Sequence, residues 1–319
     1  MNKKSVVKPS GIGGQAVLEG VMMKNKDRYA VAVRKPDGEI EVEEGTCKSL
    51  RDKYFICDLP IIRGVVTFVE SLVLGMKSLT DSSKYFEDEE DDAEEIDEDK
   101  KEKREKVETT FTVILSIILA VGIFMILPFF ISELLKKVVA SEKLLAVIEG
   151  VIRILLFIGY VFAISFVEDI KRVFMYHGAE HKTINCVEHM LPLTVENVKK
   201  QSREHKRCGT SFIFIVLFIS IIFFIFISII FFIFIRVDNM WLKILCRILL
   251  VPVIAGVSYE FIRFAGKSEN SIVNALSKPG MLIQKLTTKE PDDSMIEVAI
   301  ASVEAVFDWK EFQKDKDAE

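Results

Sequence analysis

Histidine is scarce in this chain. Only four occur among 319 residues, and all four fall between positions 177 and 205. The five cysteines (Cys47, Cys57, Cys186, Cys208 and Cys246) are odd in number and form no C-x-x-C pair. That argues against a disulfide framework and for reduced thiols in a cytosolic setting. The glycine-rich start "GIGGQAVLEGVMM" (11–23) lacks both G-x-G-x-x-G and a GK[ST] ending, so it offers little to a nucleotide phosphate. Gly13 and Gly14 instead predict a tight backbone path, with Gln15 and Glu19 on one side of a strand. Residues 1–10 are polar and basic without an apolar core, so no secretory signal is expected. No internal repeat is evident, which weakens an inverted-repeat transporter.

Long apolar runs are what the chain has in abundance. Residues 211–235 (SFIFIVLFISIIFFIFISIIFFIFI) carry no charge, and about 20 such residues suffice to cross a bilayer. Three further runs qualify: 110–134 with Pro128, 144–167 with Glu149 and Arg153, and 241–262 with Lys243, Arg247 and Pro252. The expected fold class is therefore an α-helical multi-pass membrane protein with about four transmembrane helices and a small β-hairpin-containing cytoplasmic portion at the N-terminus. Lysine and arginine concentrate in 168–210, in "KKEKREK" (100–106) and in the C-terminal tail. By the positive-inside rule both termini and the 168–210 loop face the cytoplasm, in the plasma (inner) membrane. Topology thus accounts for the basic residues, leaving nucleic-acid binding without support. The bilayer is the expected partner, and no protein partner is identified.

Period-two alternation in "YAVAVR" and "EIEVE" around "KPDG" predicts a β-hairpin over 29–43, and "QAVLEGVMMK" a third strand. The expected divisions are a β-rich cytoplasmic portion (1–58), an amphipathic or interfacial helix (59–83), and an acidic then basic disordered linker (84–108). A four-span domain (109–262) holding the histidine loop (168–210) follows, then a cytoplasmic helical tail (263–319) broken at Pro279 and Pro291. Arg63, Glu70 and Lys77 recur at seven-residue intervals on one face of the 59–83 helix. The run at 87–99 carries eleven acids and no bases, so the rest of the chain sums to −5 + 11 = +6.

His177-Gly-Ala-Glu180-His181 reads H-x-x-E-H. On a helix the two imidazoles share a face and can converge on one cation, with Glu180 beside them as a base. His205 and Cys208 form H-x-x-C, again on one helical face if the helix of the third span begins early, so H-x3-H-x23-H-x2-C supplies four donors that suit zinc in preference to iron(II). If all four bind, the shell is closed and structural. If one stays off, the open position permits catalysis. Cys186, Glu188 and His189 are substitute donors. Glu290 is a further contributor, and Asp292 or Asp293 reads as a helix N-cap.

"GGQAVLEGVMM", "LPIIRGVV", "YHGAEHKTINCVE", "LTVENVKKQSREHKRCGTSF", "LVPVIAGVSYEFIR" and "PGMLIQKLTTKEPDDSMIEVAIAS" resemble the bacterial YqhQ family. The resemblance spans nearly the whole chain. It implies a multi-pass membrane protein described as a predicted metal-dependent enzyme of a domain of unknown function, with His177, Glu180, His181, Glu188, His205 and Cys208 on its motifs. Val187 departs from the pattern, where the family carries an aromatic residue. Two functions follow. One is a metal-dependent hydrolase acting on a membrane-proximal peptide or lipid, with Glu180 catalytic and a divalent metal on His177, His181 and either His205 or Cys208. The other is a non-enzymatic scaffold or biogenesis factor with a structural metal site.

Overall fold

The computed structural model describes residues 8–86, 98–205, 208, 215–219, 221, 240–265 and 271–314. Most of the apolar run at 211–235 and residues 87–97 of the acidic run lie outside the described residues. The chain is mostly helical, with a four-stranded antiparallel sheet near its N-terminus. It divides into two compact units: Met1–Phe86, Val161–Ile215 and Ala255–Glu319 form one, Glu87–Tyr160 and Val216–Ile254 the other.

The first unit holds the sheet, a meander of β1 (Gly13–Val17), β2 (Gly20–Asn25), β3 (Arg28–Arg34) and β4 (Ile40–Thr46). The hairpin expected at 29–43 is β3–β4, where Arg34 pairs with Ile40 and Gly38 takes φ +89 in the turn. "QAVLEGVMMK" is two strands, not one: Val17 pairs with Gly20 and the chain reverses over Leu18 and Glu19, the latter at φ +48. The reversal places Gly20 so close to β3 that a Cβ there would meet the Ala32 carbonyl oxygen at 2.3 Å.

Both faces of the sheet are covered, which explains why β2 and β3 are nearly continuous apolar runs. Short α1 (Leu50–Lys53) precedes the long α2 (Ile62–Ser83). Val17, Met22, Val31 and Val33 pack with Leu74 of α2 on one face. Val21, Met23, Ala30 and Ala32 on the other meet two helices from later in the chain, Glu168–Glu188 and Asp293–Val306. The second of these starts where the Asp292 carboxylate accepts from the Met295 N–H at 2.9 Å, the expected cap. Ser302 on the same helix donates to the Ala30 carbonyl at 3.0 Å.

The second unit contains α3 (Glu98–Val121), which passes through a π-helical turn at Gly122–Ile126 into α4 (Leu127–Leu135), and most of α5 (Glu142–Ile164). The basic stretch 100–106, expected in a disordered linker, lies within α3. Lys, Glu and Arg are good helix formers, and a helix nucleated by the apolar run propagates through them. Helix α6 (Glu168–Glu188), α7 (Val195–Lys199), α8 (Met240–Ala265), α9 (Ser271–Thr287), α10 (Asp293–Val306) and α11 (Trp309–Lys314) complete the described elements. Helix α9 runs through Pro279 rather than breaking there; the proline removes one hydrogen bond of a 17-residue helix.

Three helical stretches are long and apolar enough to cross a membrane: Val107–Leu135, Lys143–Ile164 and Ile244–Phe264. Three of their charges pair with one another. Glu149, 2% exposed, binds Arg153 and Arg247, each at 2.9 Å. The Arg153 Nε donates at 2.7 Å to the Phe124 carbonyl, in the π turn that opens the helical ladder.

Gly20→Ala is expected to destabilise the first unit by about 1–3 kcal/mol through its clash with β3. Thermal unfolding of the purified variant, followed by circular dichroism, checks this.

Candidate metal centre

Helix α6 carries the H-x-x-E-H stretch in its buried C-terminal half, and the i, i+4 spacing brings the His177 and His181 rings to 4.4 Å between centroids. Each ring is fixed through Nδ1. His177 Nδ1 donates to the Thr287 carbonyl at 2.9 Å, and His181 Nδ1 to the Arg203 carbonyl at 2.5 Å. Thr287 closes α9, where the last carbonyls lie beyond the reach of the helix's own N–H groups. With both Nδ1 atoms protonated, both Nε2 lone pairs are left to accept or to ligate.

Cys208 completes the cluster. Its Sγ lies 3.3 Å from His177 Nε2 and also contacts His181. The donor atoms of His177, His181 and Cys208 all lie within 4.8 Å of one another. Bonds of about 2.3 Å to sulfur and 2.0 Å to nitrogen imply tetrahedral N···S edges of roughly 3.6 Å, so this group can hold a metal ion with little movement. The donors line a cavity of about 30 Å³ with Ile12, Gly13, Gly14, Glu180, Ile184 and His205. That is room for an ion and little else.

Glu180 sits beside the donors, its Oε2 3.8 Å from His177 Nε2. It is 5% exposed, and burial pushes its carboxyl up to about 7. Burial also lowers the pKa of His181, favouring the neutral ring a metal requires. Gly14 on β1 packs against the Glu180 side chain: a Cβ there would lie 2.7 Å from Glu180 Cγ. The glycine cluster therefore serves the site by close approach.

His205 lines the same cavity but is turned elsewhere. Its Nε2 is 3.3 Å from Glu188 Oε2, while Glu188 Oε1 accepts from the Ser10 N–H (2.8 Å) and hydroxyl (2.9 Å). Its backbone is clasped by Gln284, which accepts from the His205 N–H at 2.9 Å and donates to its carbonyl at 2.7 Å. The chain at 200–205 is irregular, so the helical face invoked for H-x-x-C does not form there. The structure thus gathers three of the four expected donors and pairs the fourth with a carboxylate.

The substitute donors stand apart. Cys186 Sγ faces the Leu191 and Pro192 carbonyls, and burial raises its thiol to about 11. His189 Nδ1 bonds the Asn185 carbonyl at 2.7 Å. Glu290 pairs with Lys182 and, at 3.2 Å, with Arg203. Glu19 does not reach the centre; it forms a two-pronged pair with Arg172 at the start of α6.

Sequence reasoning missed the residues that hold the donors. Lys182 donates to the Lys199 carbonyl at 2.8 Å, and Asn185 to those of Ser202 and Glu204 at 2.8 and 3.1 Å. With His181, these side chains tie α6 to the segment leading to His205 and Cys208. Gly178 lets the Lys289 carbonyl approach α6, at 2.0 Å from where a Cβ would be. The one signal for these contacts was "QKLTTKEPDD" (284–293), which the sequence offers as a helix cap and, through Glu290, as a further donor.

A His2Cys cluster with a buried glutamate beside it, on an α/β/α unit of a chain with three long apolar helices, defines a class of candidate metalloprotein. The sequence matches, over residues 59–309, the family described as "Protein of unknown function (DUF1385)". It is 37% identical over 306 residues to the "Uncharacterized protein YqhQ" of Bacillus subtilis (strain 168), covering 95% of this chain and 93% of that protein. The chain belongs to the YqhQ family. No solved structure matches it.

His205→Ala is expected to leave one metal ion per chain in the purified protein. His177→Ala, His181→Ala and Cys208→Ala are expected to weaken binding by more than the roughly 10–100-fold typical of losing an outer hydrogen-bond partner. Elemental analysis after dialysis against a chelator of graded strength reads the difference.

Proposed function

We propose that this is a multi-pass membrane protein with a metal-dependent hydrolase site at the cytoplasmic face, acting on a membrane-proximal peptide or lipid. One observation carries the reading: three donors converge while His205 is held by Glu188. A three-donor set leaves a tetrahedral ion one position for water or substrate, as catalytic zinc sites do. Two nitrogens and a thiolate suit zinc over iron(II).

The bound ion would supply Lewis acidity toward a carbonyl or phosphoryl oxygen. The chain's own groups do the rest. Glu180 takes a proton from the attacking water as its oxygen bonds to the carbonyl carbon or phosphorus, and passes that proton to the departing amine or alkoxide. Packing against Gly14 holds the carboxylate in place. Thr287 and Arg203, through their carbonyls, keep His177 and His181 in the tautomer that offers Nε2 to the cavity.

The small volume of the cavity favours a second reading, a metal clip in a scaffold. The two readings diverge at Glu180 and at the open position. In the hydrolase, Glu180→Gln retains the metal and loses turnover of lipid extracts and membrane-anchored reporter peptides, by about 10²-fold or more. Cobalt(II)-substituted protein should change its visible spectrum when azide is added, because an exchangeable position exists. An unchanged spectrum together with a silent Glu180→Gln would establish the clip.

A further inference from the structure

Helix α2 is amphipathic in the opposite sense to a water-facing helix. Of its four charged residues, Arg63, Glu70 and Lys77 each meet a partner elsewhere in the protein, and Asp81 pairs with Lys84. Arg63 grips Glu260 through Nε at 2.6 Å and Nη2 at 2.5 Å. Glu70 accepts from the Ser49 hydroxyl and from the Leu50 N–H at 2.6 Å, and Lys77 donates to the Tyr29 hydroxyl at 2.9 Å. The buried residues are mostly small: Gly64, Leu74, Gly75, Ser78 and Ser82. Val69, Leu72, Val73, Met76 and Leu79 face outward, Val73 at 64% exposure, and Phe55 just upstream reaches 81%. A contiguous apolar surface of this kind marks an interaction site.

What covers it follows from how α2 is anchored. A Cβ on Gly64 would meet Gly256 of α8 at 3.0 Å and Tyr259 at 2.8 Å. Gly256 precedes by eight residues the end of the apolar stretch Ile244–Phe264, which places it about 12 Å inside that end. The start of α2 is therefore level with apolar helix, where a charge is tolerated only when paired, as Arg63 and Glu260 are.

We propose that α2 and the exposed Phe55 just upstream are seated in the lipid bilayer as a monotopic element, with Val69, Leu72, Val73, Met76 and Leu79 among the acyl chains and the exposed Lys77 and the half-exposed Asp58, paired with Arg51, at the headgroups. The inference rests on reading α8 as a membrane span. It sharpens the substrate class of the metal centre. Gln15 of β1 packs against Gly75 of α2, and the next residue back, Gly14, packs against Glu180. The centre lies one strand away from a lipid-facing helix, as an enzyme of lipid or lipid-anchored substrates requires.

Full-length protein with Trp241→Phe and Trp309→Phe, reconstituted in phosphatidylcholine vesicles, tests the proposal with one new tryptophan at a time. Val73→Trp and Phe55→Trp probe α2 at two places, and Leu249→Trp reports on α8. Lipids brominated on their acyl chains should quench all three, with losses at 73 and 55 comparable to that at 249. Quenching at 249 alone, with 73 and 55 open to aqueous acrylamide or shielded from both quenchers, overturns the seating of α2 and leaves the span intact. Absence of lipid quenching at all three positions removes the span as well.

Discussion

Two imidazole N–H groups, each given to a main-chain carbonyl, set the geometry of the candidate centre. The Thr287 carbonyl lies at the buried C-terminal end of α9, and the Arg203 carbonyl belongs to an irregular segment. Neither fixes a ring by itself, but the i, i+4 spacing on α6 presents both rings at once. Three stretches of chain, spread over the 110 residues from His177 to Thr287, thereby become one site. Carbonyls serve better than carboxylates here, because they select the Nδ1–H tautomer without adding charge to a buried cluster.

Strand β1 carries the same logic to the other side. Alternate residues of a strand point to opposite faces, so Gly14 and Gln15 serve different neighbours. Gly14 lets the strand press on Glu180, and Gln15 reaches the Gly75 carbonyl of α2. The sheet is thin enough that a change in the seating of α2 bears on the strand backing the buried carboxylate. The glutamate next to the donors and the helix with the apolar outer face are joined by adjacent residues.

Local signals were legible in the sequence and distant ones were not. The helical pairing of His177 and His181, the β3–β4 hairpin and the Asp292 cap depend on residues within a few positions of one another, and the structure contains all three. The heptad of Arg63, Glu70 and Lys77 announced a charged face, but not that it points inward, because its partners lie on α8, in the Ser49–Leu50 segment and on β3. Nothing near Asn185 and Lys182 in the sequence marks them as buried. Their burial makes sense only with the carbonyls of 199–204 beside them, since a buried donor needs an acceptor. The H-x-x-C spacing of His205 and Cys208 suggested one helical face, yet His205 lies in irregular chain, where spacing carries no facing information.

The position of His205 decides how the donor set is read. His177 and His181 spend Nδ1 on carbonyls and keep Nε2 for the cavity. His205 does the reverse, with Nε2 toward Glu188, which also accepts two hydrogen bonds from Ser10. Ligation through Nε2 would break that contact, at a cost of about 1–3 kcal/mol. Rotation alone is further limited by Gln284, which holds the His205 backbone on both its N–H and its carbonyl. The fourth expected donor is thus engaged by a network of its own, and a closed four-donor shell would require that network to open.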